Sequence, residues 1–285
     1  MPLQLRGQTF TGPVVMAIVN RTPDSFYDRG ATYELDPALA AVDAAVADGA
    51  QIVDIGGVRA GPGEDVGVAE EIRRTEGIVA AVRSRYPDLV ISVDTWRAEV
   101  GEAVVAAGAD VLNDAWGGHD PGLAQVAARA RAGLVCTHAG GLPPRTKPHR
   151  SRYADVTGHV VAYVTALAER AAALGVPRES ILIDPGHDFG KNTRHSLTVT
   201  RELPRLVDTG WPVLVALSRK DFVGETLDLP VEERLEGTLA ATAISAWLGA
   251  QVFRAHDVRA TRRVLDMVAT IKGERQPAVS RRGLA

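Results

Sequence analysis

At 285 residues the chain can bury a large core, and its 46% hydrophobic and 24% charged content is that of a folded globular protein rather than a disordered one. The 32 Lys and Arg against 35 Asp and Glu leave a formal net charge of -3, which argues against the strongly basic balance of a nucleic-acid coat. Cys136 is the single cysteine and can form no internal disulfide, which points to a reducing, cytoplasmic setting. The N-terminus lacks the basic, apolar and small-residue order of a signal peptide, and the uncharged run Gly237 to Phe253 is too short and too polar for a membrane span.

Two kinds of segment alternate along the chain. Eight short apolar runs read as buried strands: Val14 to Asn20, Gln51 to Gly56, Val90 to Asp94, Val111 to Trp116, Gly133 to His138, Ile181 to Gly186, Pro212 to Ser218 and Val252 to Asp257. They are apolar throughout, as a parallel sheet covered on both faces requires. Between them lie alanine- and leucine-rich stretches of helical length: Pro37 to Asp48, Val68 to Arg85, Trp96 to Ala107, Pro121 to Ala132, Tyr153 to Leu174, His195 to Asp208, Val231 to Leu248 and Val258 to Ile271. Asp36 before Pro37 reads as a cap and helix start. Gly-Ala pairs at 49–50, 108–109 and 249–250 each close a helix before a strand. Eight strand-then-helix units predict a (β/α)8 TIM barrel. An open doubly wound sheet is the competitor, but no Gly-x-Gly-x-x-Gly follows the first strand. Residues 1–272 read as one domain and 273–285 as a polar, frayed tail.

Polar residues recur at the C-terminal strand ends: Asn20, Asp54, Asp94, Asn113, His138, Asp184, Ser218 with Arg219 and Lys220, and Arg254 with His256 and Asp257. In a barrel these ends converge on the face where active sites are built. Any one of them alone reads equally well as a helix cap. All eight together point to a ligand, because buried polar groups need partners. Asp94, Asn113 and Asp184 offer carboxylate and amide groups suited to a flat heterocycle carrying amino, ring N–H and carbonyl groups. Lys220 adds a donor, and Arg254 adds donors and a guanidinium plane that can stack on the ring. Arg254, His256 and Arg219 read as a small cationic set, in the usual barrel position for a phosphate. With Asn20 across the closed barrel, a diphosphate and a divalent ion fit. His138, His187, His256 and Cys136 lack the paired spacing of a structural zinc site, and Cys136 reads as a buried small hydrophobe rather than a nucleophile. The loops at 21–30 and 56–63 are punctuated by glycine and proline and long enough to cover the barrel mouth.

Taken together, several segments resemble the dihydropteroate synthase family of pterin-binding barrels over about Val14 to Lys272. They are Ala17 to Phe26, Asp54 to Gly57, Ser92 to Thr95, Asn113-Asp114, Asp184 to Gly186 with Phe189 to Lys191, Ser218 to Lys220 with Phe222 and Gly224, and Arg254 to Asp257. The resemblance implies condensation of a hydroxymethyl-dihydropterin diphosphate with 4-aminobenzoate, giving dihydropteroate and pyrophosphate in folate biosynthesis. It implies pterin binding by Asp94, Asn113, Asp184, Lys220 and Arg254. It places Asn20, Arg254 and His256 at the diphosphate, with Asn20 towards Mg2+, and Asn20, Lys220, Arg254 and His256 as the residues that carry the reaction. Ser218 lies where the family holds the aminobenzoate, and family members commonly pair as homodimers through their last helices. Catalysis in such a site is chiefly positioning and stabilisation of the departing diphosphate.

The departures from the family pattern are specific. Active members typically carry Glu-Ser-Thr-Arg-Pro-Gly after the double glycine, and this chain carries Val58, Arg59, Ala60, Gly61, Pro62 and Gly63. A hydroxyl and a guanidinium that serve the aminobenzoate are thereby lost at Ala60 and Gly61. Arg21 replaces the usual Val and Arg29 a small residue. Asp188 replaces a glycine in the loop after the sixth strand, and Asp221 stands where Ser is usual, next to Lys220, whose ammonium it could draw away. The chain is in these respects most similar to the divergent second paralogue of the family in mycobacteria and related actinobacteria, which is regarded as lacking the activity. The expectation is a kept pterin floor with little or no synthase turnover. The alternatives are an active synthase in which Arg59 and Arg21 supply the missing anion contacts, a binding scaffold, and a pterin-dependent methyltransferase.

Overall fold

The computed structural model describes residues 2–22, 30–63, 65–146 and 152–283. Eight parallel strands form one sheet: β3 (Val14–Asn20), β4 (Ile52–Gly56), β5 (Val90–Asp94), β6 (Val111–Asp114), β7 (Gly133–Thr137), β8 (Ile181–Asp184), β9 (Leu214–Ala216) and β10 (Val252–Ala255). Their order is β8-β7-β6-β5-β4-β3-β10-β9, and an Ile183–Val213 bridge joins the two ends, so the sheet closes as a (β/α)8 barrel. The helices on the outside are α1 (Leu35–Ala47), α2 (Val68–Arg85), α3 (Ala98–Ala106), α4 (Gly122–Ala130), α5 (Val156–Leu174), α6 (Thr193–Arg201), α7 (Pro204–Val207), α8 (Asp221–Leu227), α9 (Leu235–Trp247) and α10 (Val258–Ile271). After α10, residues 273–283 are exposed and belong to no helix or strand.

The strands are apolar on both faces because two cores use them. Val15, Val53, Ile91, Leu112 and Ile183 face outward under the helices, while Val14, Ile52, Val90, Val111, Leu182 and Val252 fill the barrel interior. A short antiparallel hairpin, β1 (Leu3–Leu5) and β2 (Gln8–Phe10), lies under the N-terminal end of the barrel, and Leu3 and Leu5 join the interior core. The interior is thus plugged from below with side chains and left open above.

Several local expectations are corrected. Asp36 is not the cap of α1: the helix starts two residues earlier, at Leu35, Glu34 takes the cap position, and Asp36 sits in the first turn. The stretch 195–208 breaks into α6 and α7 because Pro204 starts a new helix. The hairpin and α8 are additional elements, each only three to seven residues long.

Candidate functional site

Strand periodicity decides which polar residues meet. Side chains alternate across a strand, so residues of one parity face the interior and the others face the helices. Asn20, Asp54, Asp94, Asn113, Asp184, Ser218, Arg254 and His256 share the parity of the interior core residues on their own strands. All except Asp54 line a cavity of about 360 Å3 at the C-terminal end of the barrel, and Asp54 lies directly beneath it.

The floor is one charged network. Asp54 is fully buried; its Oδ1 accepts from Ser92 Oγ at 2.6 Å and its Oδ2 from Asn113 Nδ2 at 3.1 Å. Arg254 donates from Nε to Asp54 Oδ2 at 2.6 Å and from Nη2 to Asp94 Oδ2 at 2.9 Å. Burial pushes the Asp94 carboxyl up to about 7 against the pull of Arg254. Burial also works against the Arg254 guanidinium, but Asp54 and Asp94 outweigh it and hold the charge in place. Arg254 therefore ties three strands together through their inward carboxylates and leaves Asp94 and Asn113 edges facing the cavity.

Opposite lie Asp184 and Lys220. Asp184 accepts from the Gly186 N–H at 2.7 Å, and burial raises its carboxyl, with Lys220 opposing. Lys220 Nζ donates to the His187 carbonyl at 2.6 Å and stands 4.9 Å from the centre of the Phe189 ring. Burial lowers the lysine, and Asp188 and then Asp184 work to raise it. Above them is an aromatic wall that the sequence did not single out: Trp116 meets Phe189 edge-on at 5.1 Å and Trp96 at 6.5 Å. Position alone could have flagged Trp116, since it follows the inward-facing end of β6. Such a cavity suits a flat, hydrogen-bonding heterocycle: carboxylates and an amide at its edge, a lysine and aromatic rings beside it.

The loop that carries Asp188 and Phe189 is folded around Lys191. Its buried Nζ donates to the carbonyls of Gly186 and Phe189, both at 3.0 Å, and to His138 Nδ1 at 2.6 Å. Because His138 Nδ1 accepts, its Nε2–H is left to donate to His159 Nδ1, 2.9 Å away. Burial, reinforced by Lys191, drives the His138 imidazole down to about 3, so it stays neutral.

Strand parity sorts the remaining candidates. His138 faces outward from β7 and Thr137 lines the cavity instead, while Cys136, also outward, lies in the apolar core as the small buried hydrophobe expected of it. Arg219 touches the cavity, but its guanidinium is committed elsewhere: the residue has outward parity, sits at φ +54, and donates in parallel to Asp257 at 2.9 and 3.0 Å. His187 points to Thr200, 2.9 Å away, and no metal-holding group of three His, Cys, Asp or Glu exists among the described residues. Arg21 is turned away from the cavity: its Nε donates to the Arg74 carbonyl at 3.1 Å and its guanidinium lies over Tyr33. Asp221 does not draw Lys220 away, since its carboxylate pairs with Arg234 at 2.9 Å. Asp188 is the carboxylate that faces the lysine. Its φ of +69 is the strained conformation expected where a glycine is usual. Arg59, Ala60, Gly61 and Pro62 all line the cavity rim, and Arg59 lies along Gly61. Residues 23–29, including Pro23 to Phe26 and Arg29, lie outside the described residues.

The fold and this floor define a barrel built to hold a flat heterocycle at its mouth, and comparison with known proteins gives the family. The model of the pterin-binding enzymes matches residues 16–256. "Inactive dihydropteroate synthase 2" of Mycobacterium leprae (strain TN) is 58% identical over 276 residues, 95% of this chain and 95% of that protein. The dihydropteroate synthase of Synechocystis is 40% identical over 86% of each chain. The crystal structure of Yersinia pestis dihydropteroate synthase with a sulfonamide drug complex superimposes with a TM-score of 0.90 at 34% identity, covering 96% of this chain and all of that one. The chain belongs to the pterin-binding enzyme family. Within it, the chain is a divergent homologue of dihydropteroate synthase.

Proposed function

We propose that the protein binds a pterin diphosphate at the barrel mouth and does not turn it over to dihydropteroate at a useful rate. The single observation that carries this reading is the contrast between floor and rim. The Asp54–Arg254–Asp94–Asn113 network is assembled at the base of the cavity, with Asp54 and Asn113 buried and Asp184 and Lys220 facing it, whereas the rim presents Ala60 and Gly61 towards the second substrate. In this reading Asp94, Asn113, Asp184, Lys220 and Arg254 hold the pterin, and Asn20, Arg254 and His256 hold the diphosphate. Ser218 is fixed for a role beside them, since its Oγ lies 3.0 Å from His256 Nδ1. The names carried by the mycobacterial relatives point the same way.

Mg2+ belongs with the diphosphate. This ion keeps several waters and takes only one or two protein ligands besides phosphate oxygens, so a single amide oxygen from Asn20, which lines the cavity, fits it without a carboxylate cage. It would neutralise charge on the departing diphosphate. An active synthase remains the second reading because Arg59 lies on the rim, within the cavity lining; Arg21 gives it no support.

The protein acts as a homodimer in the cytoplasm. Ile244, Trp247, Met267 and Ile271 are each more than half exposed and lie on α9 and α10, which pack together, giving an apolar face that a second copy would cover. No described helix is long and apolar enough to cross a membrane. The test of the binding reading is calorimetric titration with 6-hydroxymethylpterin diphosphate and Mg2+. Saturable 1:1 binding that is lost in Asp184→Ala supports it, and no heat at ligand concentrations in the millimolar range contradicts it.

A further inference from the structure

Asp188 is the feature of the cavity that the pterin floor does not explain. Its backbone is held at φ +69, and its N–H donates to Ser196 Oγ at 3.1 Å. Its carboxylate accepts from that same hydroxyl at 3.2 Å and from the Phe222 N–H, in the first turn of α8, at 3.3 Å. The side chain is therefore fixed from two elements, on a loop itself pinned by Lys191. It lines the cavity beside Phe189, and the next carboxylate along that wall is Asp221. Asp188 thus faces the region beyond the pterin floor and Asp184 lies below, whereas the Asp221 carboxylate is exposed and held by Arg234.

The cations on this wall are largely committed. Asp188 and Asp184 both act on the Lys220 ammonium, which also donates to the His187 carbonyl. Arg219 is spent on Asp257, and Arg234 donates to Asp221. Among the described residues the facing surfaces are Val58, Ala60, Trp116 and Phe189, with the Arg59 guanidinium along Gly61 at the outer rim. A ligand carboxylate placed here would meet fixed negative charge in a partly buried site. A neutral amide or an amine would find acceptors instead.

We propose that the outer compartment of the cavity selects ligands whose substituent is neutral or amine-bearing and turns carboxylates away, with Asp188 as the specificity-determining residue. The proposal rests on the pterin reading of the floor. It goes beyond a degraded rim, because it describes a site re-specified for a different second group: an aryl or alkyl substituent ending in a hydrogen-bond donor.

The test uses the full chain and three ligands: 6-hydroxymethylpterin, pteroate, and pteroate carrying a primary carboxamide in place of its carboxylate. The last two have the same shape and differ in charge. Binding is read by tryptophan fluorescence, with Trp116 in the cavity wall, and checked by calorimetry. The amide is expected to bind about tenfold or more tighter than pteroate. Asp188→Gly should shrink that ratio to within about threefold; glycine adopts this backbone conformation without strain, so the loop is retained. Asp188→Asn, which keeps an acceptor for Phe222, should shrink it likewise. Equal binding of amide and acid by the unaltered protein, a preference for the acid, or a ratio unmoved in both variants overturns this inference alone. Failure of 6-hydroxymethylpterin to bind overturns the reading of the floor and this inference with it.

Discussion

Arg254→Met is the most informative perturbation of the floor. In the native protein the guanidinium serves Asp54 at 2.6 Å and Asp94 at 2.9 Å, and the Asp54 side chain has no exposure at all. Methionine fills much of the volume but leaves the fully buried Asp54 and the partly buried Asp94 carboxylates with no cation between them. Asp54 keeps Ser92 and Asn113 as donors, so the deficit is one of charge rather than of hydrogen bonds alone. Breaking a buried pair by removing one partner typically costs about 3–5 kcal/mol. The expected loss at pH 7 is about 3 kcal/mol, the low end of that range, because an Asp94 carboxyl already near 7 takes up a proton at little cost; it is read by urea unfolding. Arg254→Met combined with Asp94→Asn should recover much of the loss. A loss below about 1 kcal/mol, or no recovery in the double variant, would refute the charge argument.

Three further outcomes follow from the same geometry. His138 is held neutral down to about 3, while an unfolded histidine takes up its proton near 6.5, so between these values the unfolded chain binds more protons and acidification drains stability. His138→Gln removes that term, and it should lose about 3 kcal/mol less than the unaltered protein between pH 6.5 and pH 4. Parallel stability curves would contradict the tautomer chain through Lys191. Gly186 sits at φ +63, where an added Cβ would collide with the His138 carbonyl oxygen; Gly186→Ala should cost about 2 kcal/mol or more and weaken pterin binding, both read on the purified variant. Cys136 is buried, and burial pushes its thiol up, so it should resist thiol reagents at pH 8 until denaturant is added. Stoichiometric labelling of the native protein would show that β7 opens readily.

The barrel was legible because a parallel sheet covered on both faces leaves uninterrupted apolar runs, and all eight appear in the sequence. Most of the floor was legible too, since an Asp or Asn ending such a run has few apolar explanations. What the sequence hid turns on single-residue parity and on loops. His138 and Thr137 are neighbours, yet only Thr137 faces the cavity. Arg219 and Lys220 are neighbours and both touch the cavity, yet the Arg219 guanidinium is held by Asp257 while the Lys220 ammonium answers to Asp188 and Asp184. The hairpin strands and α8 are too short to show a period. Pro204 is the one local signal of the break between α6 and α7, since proline starts a helix more readily than it continues one. Asp188 stood out as an unusual residue, but its role depends on the Lys191-centred loop and the start of α8, which no local pattern encodes.

The central claim is a kept floor beneath a rim that no longer supports condensation. The most direct measurement is pyrophosphate release from 6-hydroxymethyl-dihydropterin diphosphate with Mg2+, with and without 4-aminobenzoate, beside an active dihydropteroate synthase. Saturable pterin binding is expected, with release at least about 1,000-fold below the active enzyme, a barrier difference of about 4 kcal/mol. Aminobenzoate-dependent turnover within tenfold of the active enzyme would contradict it and would mean that Arg59 completes the site.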